Sequence, residues 1–361
     1  MKRTPLYETH RKLKGKLVEF GGWEMPLFYH GVVSEHKAVR ENAGLFDICH
    51  MGRLSVKGPD AGPFLQGVTV NNVAMLVPGK AQYSLVCNPQ GGVKDDIFIY
   101  KKGDADFFIC VNASNREKIY QWFLAQKGKF IVEIQDISDQ VGMIALQGPK
   151  APRILEKILG KKFKSLKHAE FYEEEISGAP TMIARTGYTG EKGYEFYFPA
   201  EFAENLWNLF YETGQDEQLV PVGLGARDTL RLEMGYALYG HELTEEISPL
   251  EADLARFVYF GKENFIGKEA LSAQNKKGVS RMLAGFELKF KNVPRQHCKV
   301  FHDDYEIGEV TSGNLTPSVQ KGIGMALIQS DFNKPGDDIL IGVRDKKIPA
   351  LIRDKNFYKR K

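Results

Sequence analysis

"YSLVCNPQGGVKDDIFIYKKGDADFFICVN", residues 83–112, is the stretch whose reading decides the fold class. It reads as strand, "NPQGG" turn, strand, and then "DADFFICVN" as a third strand, which predicts an antiparallel meander. The middle strand opens on two adjacent carboxylates, Asp95 and Asp96. Alternate side chains of a strand share a face, so Asp95 leads Ile97 and Ile99, while Asp96 leads Phe98 and Tyr100. The first row reads as core. The second is an aromatic wall suited to a flat ligand. Carboxylates are also common at solvated turn ends, and the local pattern alone does not choose between that reading and a ligand facing Asp96. Tyr83 shares a face with Leu85 and Cys87, and the pairing register decides whether it joins Tyr100.

Outward from the meander, helical and strand-like text is interleaved. "SEHKAVRENAG" (34–44) predicts a helix capped by Ser34 and ended by Gly44. "LFDICHMGRLSVKG" (45–58) alternates like a strand. Helical patterns lie at 115–126, 150–159, 201–214 and 226–238, and "TMIARTGYTGEKGYEFYF" (181–198) reads as strand, glycine-rich turn, strand. The segment 249–275 is mixed, and a linker is placed in "SAQNKKGVS" (272–280). Beyond about residue 280, short strands punctuated by Gly, Asn and Pro predict an all-β module of barrel type.

A chain of 361 residues is too long for one ordinary core and predicts two or three packed domains, at roughly 150 residues each. Hydrophobic content of 43%, with 23 Phe and 15 Tyr, supplies enough apolar surface to exclude a mainly disordered chain. A formal charge of +3 is nearly balanced for this size, so neither nucleic acid nor a membrane surface is expected as the main partner. The start has a basic head and no apolar run behind it, unlike a secretory signal, and a cytoplasmic location is expected. Cys49, Cys87, Cys110 and Cys298 have no metal-ligand or disulfide-framework spacing, so buried reduced thiols and no metal are expected. Cys49 and His50 are sequence neighbours, which rarely face each other, so no catalytic dyad is read there.

Two further stretches carry chemistry. In "RTGYTGEKGYEFYF" the glycines Gly187, Gly190 and Gly193 run on into a strand rather than opening a helix, so they predict a wide turn and not a phosphate loop. Glu195 then sits in a strand with four aromatics, costly unless the carboxylate is paired or ligand-bound. In "GLGARDTLRLEMGYALYG" a helix is expected to open near Ala226. Arg227 stands at its positive dipole end, at a cost of a few tenths of a kcal/mol. A salt bridge with Asp228 or Glu233 compensates it in the simpler reading; the alternative is a ligand carboxylate gripped by the guanidinium. Gly235 within that helix costs about 1 kcal/mol against Ala and points to close packing beside Tyr236. Isolated acids on aromatic strands and an arginine at a helix start suit a long, flat heterocycle with donors at one end and carboxylates at the other, the shape of folate.

The stretches "GGWEMPL", "RENAGLFDICHMG", "GGVKDDIF", "ALQGPKA", "RTGYTGEKGYE", "GLGARDTLRLEMGYALYG" and "GEVTSGNLTPS" resemble, in order and over nearly the whole chain, the aminomethyltransferase or T-protein family of the glycine cleavage system. The resemblance implies three α+β domains around a central folate-binding channel: residues 1–54 with 139–250, residues 55–138, and a barrel-like module at 280–361, joined through 251–279. It implies transfer of a methylene group from the aminomethyl-dihydrolipoyl arm of lipoylated H-protein to tetrahydrofolate as co-substrate, with release of ammonia and without a metal or covalently bound cofactor. In that family the position of Asp96 is the one most tied to catalysis, at the reacting edge of folate. That of Glu195 holds the pterin, and Arg227 lies near the folate. Tyr83, Tyr100, Asn112, Tyr188 and Tyr236 fall at positions lining the channel, Met51 matches a residue packing close to the ring, and the tail "NFYKRK" corresponds to one that approaches the folate. Two alternatives stand beside this. A folate-dependent demethylase of the sarcosine or dimethylglycine type normally carries a GxGxxG flavin fingerprint, absent after any strand near this N-terminus. A non-enzymatic folate-binding iron-sulfur assembly factor has a cysteine motif of the "KGCYxGQ" type, where this chain has "TGYTGEKGYE".

Overall fold

A computed structural model describes residues 1–344 and 346–360 of the chain; Lys361, the last residue of the tail, lies outside the described residues. In chain order the elements are α1 (Tyr7–Lys12), β1 (Lys16–Phe20), β2 (Trp23–Phe28), α2 (Val32–Glu41), β3 (Ala43–Asp47), β4 (Gly52–Lys57), α3 (Ala61–Val68), β5 (Lys80–Cys87), β6 (Val93–Gly103) and β7 (Asp106–Val111). They continue with α4 (Arg116–Gln126), β8 (Glu133–Asp136), β9 (Val141–Gln147), α5 (Ala151–Leu159), β10 (Phe171–Ile176), β11 (Ala179–Ala184), β12 (Gly193–Pro199), α6 (Ala203–Thr213), β13 (Leu219–Val222), α7 (Leu224–Glu233) and α8 (Lys268–Lys277). The last strands are β14 (Arg281–Leu288), β15 (Lys299–His302), β16 (Tyr305–Leu315), β17 (Gly322–Gln329), β18 (Asp338–Val343) and β19 (Lys346–Arg353). The chain divides into a first unit of Met1–Phe64, Met75–Gln82 and Phe98–Asp228 and a second of Leu65–Ala74, Tyr83–Ile97 and Thr229–Lys361.

In the first unit, six strands form a sheet in the order β10-β11-β12-β9-β3-β13, antiparallel except where β13 runs parallel to β3. Leu45, Leu146 and Phe196 of this sheet share a core with Ile154 and Leu155 of α5 and Leu206, Trp207 and Phe210 of α6. Each such buried side chain contributes roughly 1.5–3 kcal/mol. The predicted meander is present as β5, β6 and β7, adjacent in a five-stranded sheet of order β5-β6-β7-β4-β8. In the second unit, β14 to β19 close into a barrel in the order β14-β17-β16-β15-β18-β19, as the C-terminal text predicts. Its interior is filled by Phe286, Val300, Val310, Ile328, Ile341 and Ile352, and closure leaves no unpaired sheet edge.

Four local expectations are corrected. The helix predicted at 34–44 is Val32–Glu41, and Gly44 lies inside β3, where a Cβ would collide with Val39 and Val222. Ser34 does not cap it; its hydroxyl donates back to the carbonyl of Gly31 at 2.9 Å. The continuous strand read at 45–58 is two strands, broken at residues 48–51, because an Asp47 carboxylate oxygen accepts the Cys49 N–H at 2.8 Å and folds the chain out of line. The helix near 226–238 opens two residues earlier, at Leu224, and ends at Glu233. Gly235 is thus past the helix end at φ 64°, and its Cα faces the Lys355 backbone, where a Cβ would come within 2.5 Å of a carbonyl oxygen. The close packing expected there is real, but its partner is the C-terminal tail. Most of "SAQNKKGVS" belongs to α8, which Gly278 ends.

Asp47 does more than break a strand. Its other oxygen accepts the Thr4 hydroxyl at 2.6 Å and pairs with His10 Nε2 at 2.8 Å, and His10 Nδ1 meets the Tyr29 hydroxyl at 2.8 Å. Burial pushes the carboxyl up, but the His10 hydrogen bond and charge, with Thr4 and the Cys49 N–H, outweigh it and bring the pKa down to about 2. A folded pKa below the unfolded value of about 3.9 stabilises the folded state above pH 4 by about 2 kcal/mol, and this contribution is lost as pH falls toward 2. Urea denaturation of wild type and Asp47→Asn at pH 5, 3.5 and 2.5 should therefore show the gap between them closing with acid. A constant gap rejects the assignment.

Candidate active site

The second unit holds the carboxylate pair that the sequence singles out. Gly91, at φ 88°, turns the chain, and Gly92 passes so close to the Glu245 carbonyl that a Cβ has no room. Asn88 closes the turn by donating to Glu245 O at 3.0 Å and accepting from the Gly92 N–H at 2.9 Å. Lys94 pairs with the Glu245 carboxylate at 2.9 Å, and the Val93 N–H reaches the carbonyls of Thr244 and Ile247. The head of β6 is therefore enclosed rather than solvated. Asp95 is fully buried with Ile97 and Ile99, as the aliphatic row predicts, while Asp96 and Phe98 stay half-buried. The Tyr83 hydroxyl donates to Asp96 at 3.2 Å, and the Tyr83 ring meets Phe257 edge-on at 4.7 Å. Asn71 fixes the Tyr83 backbone by donating to its carbonyl at 2.8 Å. Tyr236, half-buried beyond the end of α7, accepts from Arg231 through its carbonyl at 3.1 Å.

A second constellation lies in the first unit, around Glu195 on β12. One oxygen, Oε2, receives the Thr186 hydroxyl at 2.5 Å, the Tyr197 hydroxyl at 3.4 Å and the Tyr100 hydroxyl at 3.5 Å. Tyr100 and Tyr197 are themselves joined at 2.8 Å. Oε1 accepts no hydrogen bond from the described residues, leaving one carboxylate oxygen for an N–H donor. Burial raises the Glu195 pKa, opposed by the Thr186 hydrogen bond, the Arg227 charge and the two tyrosines. Tyr194 and Phe196, on the opposite face of the strand, enter the core. The glycine-rich turn is wide as predicted, and Gly187 and Gly193 are glycines because Gln147 occupies the space a Cβ would need.

Arg227 lies in the first turn of α7, its N–H bonded to the Gly223 carbonyl at 3.1 Å, and its guanidinium covers the Tyr188 ring at 4.8 Å. The approach to α7 is held from below by Glu35. That buried carboxylate accepts the N–H groups of Tyr29 at 2.6 Å, His30 at 2.9 Å and Gly31 at 3.1 Å on one oxygen, and of Gly223 at 2.9 Å on the other. Gly52 pairs with Val111, so Met51 and Asn112 flank the same end of the β4–β7 ladder. Among the sequence-predicted residues, Tyr83 and Asp96 come together in the second unit, and Tyr100 with Glu195 and Tyr188 with Arg227 in the first. Sequence reading missed Thr186, Gln147 and Glu35. Thr186 sits within the quoted glycine-rich motif, but no periodicity marks its hydroxyl as the nearest donor to Glu195.

The comparisons with known proteins bear on this geometry. Residues 6–262 match the family model for the GCVT N-terminal domain, and residues 281–359 match that for the glycine cleavage T-protein C-terminal barrel domain. The chain belongs to the aminomethyltransferase (T-protein) family of the glycine cleavage system. T-protein relatives extend over its full length: aminomethyltransferases of Caldanaerobacter subterraneus and of a Thermoanaerobacter species are 46% and 45% identical over 361 residues, covering all of this chain and 96% and 98% of the relative. The crystal structure of the glycine cleavage system aminomethyltransferase T from Bartonella henselae superposes with a TM-score of 0.94 at 32% identity, covering 99% of this chain and 98% of that one. These matches bear out the family and the α+β class with its terminal barrel, and favour the T-protein reading over the demethylase and the assembly factor.

Proposed function

We propose that the chain transfers the methylene group of an aminomethyl-dihydrolipoyl arm, carried by lipoylated H-protein, to tetrahydrofolate and releases ammonia. The observation that carries this reading is the Asp96 carboxylate, half-buried at the head of β6 and held by the Tyr83 hydroxyl at 3.2 Å. As ammonia leaves with the carbon–nitrogen electron pair, the methylene carbon becomes cationic; one amine of tetrahydrofolate takes it up, and the second displaces the dihydrolipoyl thiol of H-protein, so that the carbon bridges both amines and each gives up a proton. An ionised Asp96 stabilises that positive charge and guides the proton released at the folate amine. Because Tyr83 fixes the carboxylate beforehand, little reorganisation is needed at the moment of transfer.

The first-unit cluster fits the folate itself. Oε1 of Glu195 is available to N–H donors of the pterin, and the buried, mutually packed Tyr100 and Tyr197 rings wall the carboxylate from behind. The Arg227 guanidinium offers a cationic partner for folate carboxylate. Met51, Asn112 and Tyr236 are assigned to lining positions on the strength of the family resemblance. The same reading takes tetrahydrofolate as a co-substrate and H-protein as the protein partner.

The direct test is an incubation of the purified chain with tetrahydrofolate and aminomethyl-loaded H-protein, following ammonia and methylene-tetrahydrofolate, with sarcosine as a comparison substrate. Equimolar formation of both products from H-protein, and none from sarcosine, is expected. Turnover of sarcosine alone overturns the reading in favour of a demethylase.

A further inference from the structure

His50 is a buried imidazole that the chain leaves without a hydrogen-bond partner. It is 2% exposed, its Nδ1 is sealed from solvent, and neither ring nitrogen is hydrogen-bonded to any described residue. Buried polar atoms are nearly always satisfied, and one left bare is destabilising, so it calls for an explanation. Nothing about the local backbone is loose enough to supply one. His50 lies in the break between β3 and β4, where Arg53 donates to the carbonyls on either side of it, Cys49 O and Met51 O, and the Met51 N–H bonds to Ile48 O at 3.2 Å. Phe20 meets the ring edge-on at 5.8 Å. The side chain is thus held in place by a rigid turn and an aromatic neighbour while its polar atoms are left unused.

His50 belongs to the first unit, as Glu195 and Arg227 do. His50 precedes Met51, and it feels the positive charges of Arg227 and Arg53 and the negative charge of Asp47. Burial foremost, with the two arginines, lowers its pKa to about 3, against the pull of Asp47. The ring is therefore neutral, carrying one N–H donor and one acceptor lone pair. Arg227 also acts on Glu195 and stacks on Tyr188.

We propose that His50 is a ligand-binding residue, supplying through Nε2 a hydrogen bond to the polar edge of tetrahydrofolate that no group of the chain itself takes up. This rests on the folate reading above. The cost of the unsatisfied ring in the free protein is the mark of a site kept for a ligand at the expense of stability.

The test uses the full chain and tetrahydrofolate under anaerobic conditions, with calorimetric titration and thermal melting of wild type, His50→Phe, His50→Asn and His50→Gln. His50→Phe should weaken tetrahydrofolate binding about tenfold while the ligand-free protein melts at the same or a higher temperature, because an unsatisfied polar group has been replaced by a ring. His50→Gln, whose amide mimics Nε2, should recover most of the affinity, and His50→Asn, which mimics the sealed Nδ1, should not. If the larger ring prevents folding, His50→Ala serves the same comparison. Wild-type binding with His50→Phe, or His50→Ala in its place, within twofold overturns the inference and leaves the folate reading standing, as does a lowered melting temperature with unchanged affinity. Absence of saturable binding by wild type overturns the folate reading itself.

Discussion

Asp96→Asn should lower ammonia release from aminomethyl-loaded H-protein by about 10²–10⁴-fold, the range associated with loss of a positioned acid-base or charge-stabilising group. The substitution is nearly isosteric, and the Tyr83 hydroxyl, 3.2 Å away, still finds an oxygen to donate to, so the head of β6 keeps its geometry. What is lost is the negative charge. Tetrahydrofolate affinity should stay within a few-fold of wild type, and the melting temperature should hardly move. Single-turnover measurement of ammonia and of methylene-tetrahydrofolate, beside a binding titration, separates these quantities. Turnover at the wild-type rate removes Asp96 from the mechanism. Weakened binding with proportionate loss of rate makes it a folate ligand and not a participant in transfer.

The largest expected loss of stability lies at Glu35. Its carboxylate, 1% exposed, takes four backbone N–H groups, those of Tyr29, His30, Gly31 and Gly223. Glu35→Ala leaves these donors without their acceptor, and buried donors deprived of a charged acceptor cost about 1–3 kcal/mol apiece, partly recovered by entering water. A net loss of about 3 kcal/mol or more is expected, a fall of roughly 6 °C or more in the melting of the first unit. Glu35→Gln keeps the shape and one acceptor oxygen but turns an amide toward N–H groups, so it should fall between. Because Gly223 leads directly into α7, the Ala variant should also disturb Arg227 and weaken tetrahydrofolate binding, while a change at an exposed residue of α2 such as Lys37→Ala should not. Melting curves of the three variants check the order. A stable Glu35→Ala protein means that other groups satisfy these donors.

Much of the architecture was legible because it is written in local periodicity. Period-two alternation through residues 83–112 gave the three strands of the meander and separated the buried Asp95 row from the Asp96 row, since successive side chains of a strand must point to opposite faces. The same rule put Tyr194 and Phe196 in the core and left Glu195 on the other face, needing partners, which it has in Thr186, Tyr197 and Tyr100. Short punctuated strands beyond residue 280 announced the barrel.

The errors have a common origin. Alternation continued across residues 45–58, but the chain breaks there because the Asp47 side chain captures the Cys49 N–H, and a pattern of polar and apolar letters does not record what a carboxylate bonds to. Gly235 looked like a flaw in a helix, when its positive φ and its contact are with Lys355, more than a hundred residues away in sequence.

By itself, then, the order of residues determined which faces are apolar, where strands lie and which acids stand on aromatic walls, because those follow from backbone geometry a few residues at a time. It took the folded chain to show that Glu35 holds the approach to α7, that one oxygen of Glu195 is occupied and the other open, and that His50 Nδ1 is sealed in without a partner. Each of those is a matter of which distant groups arrive within hydrogen-bond distance, and that is set by the packing of whole elements rather than by any local repeat.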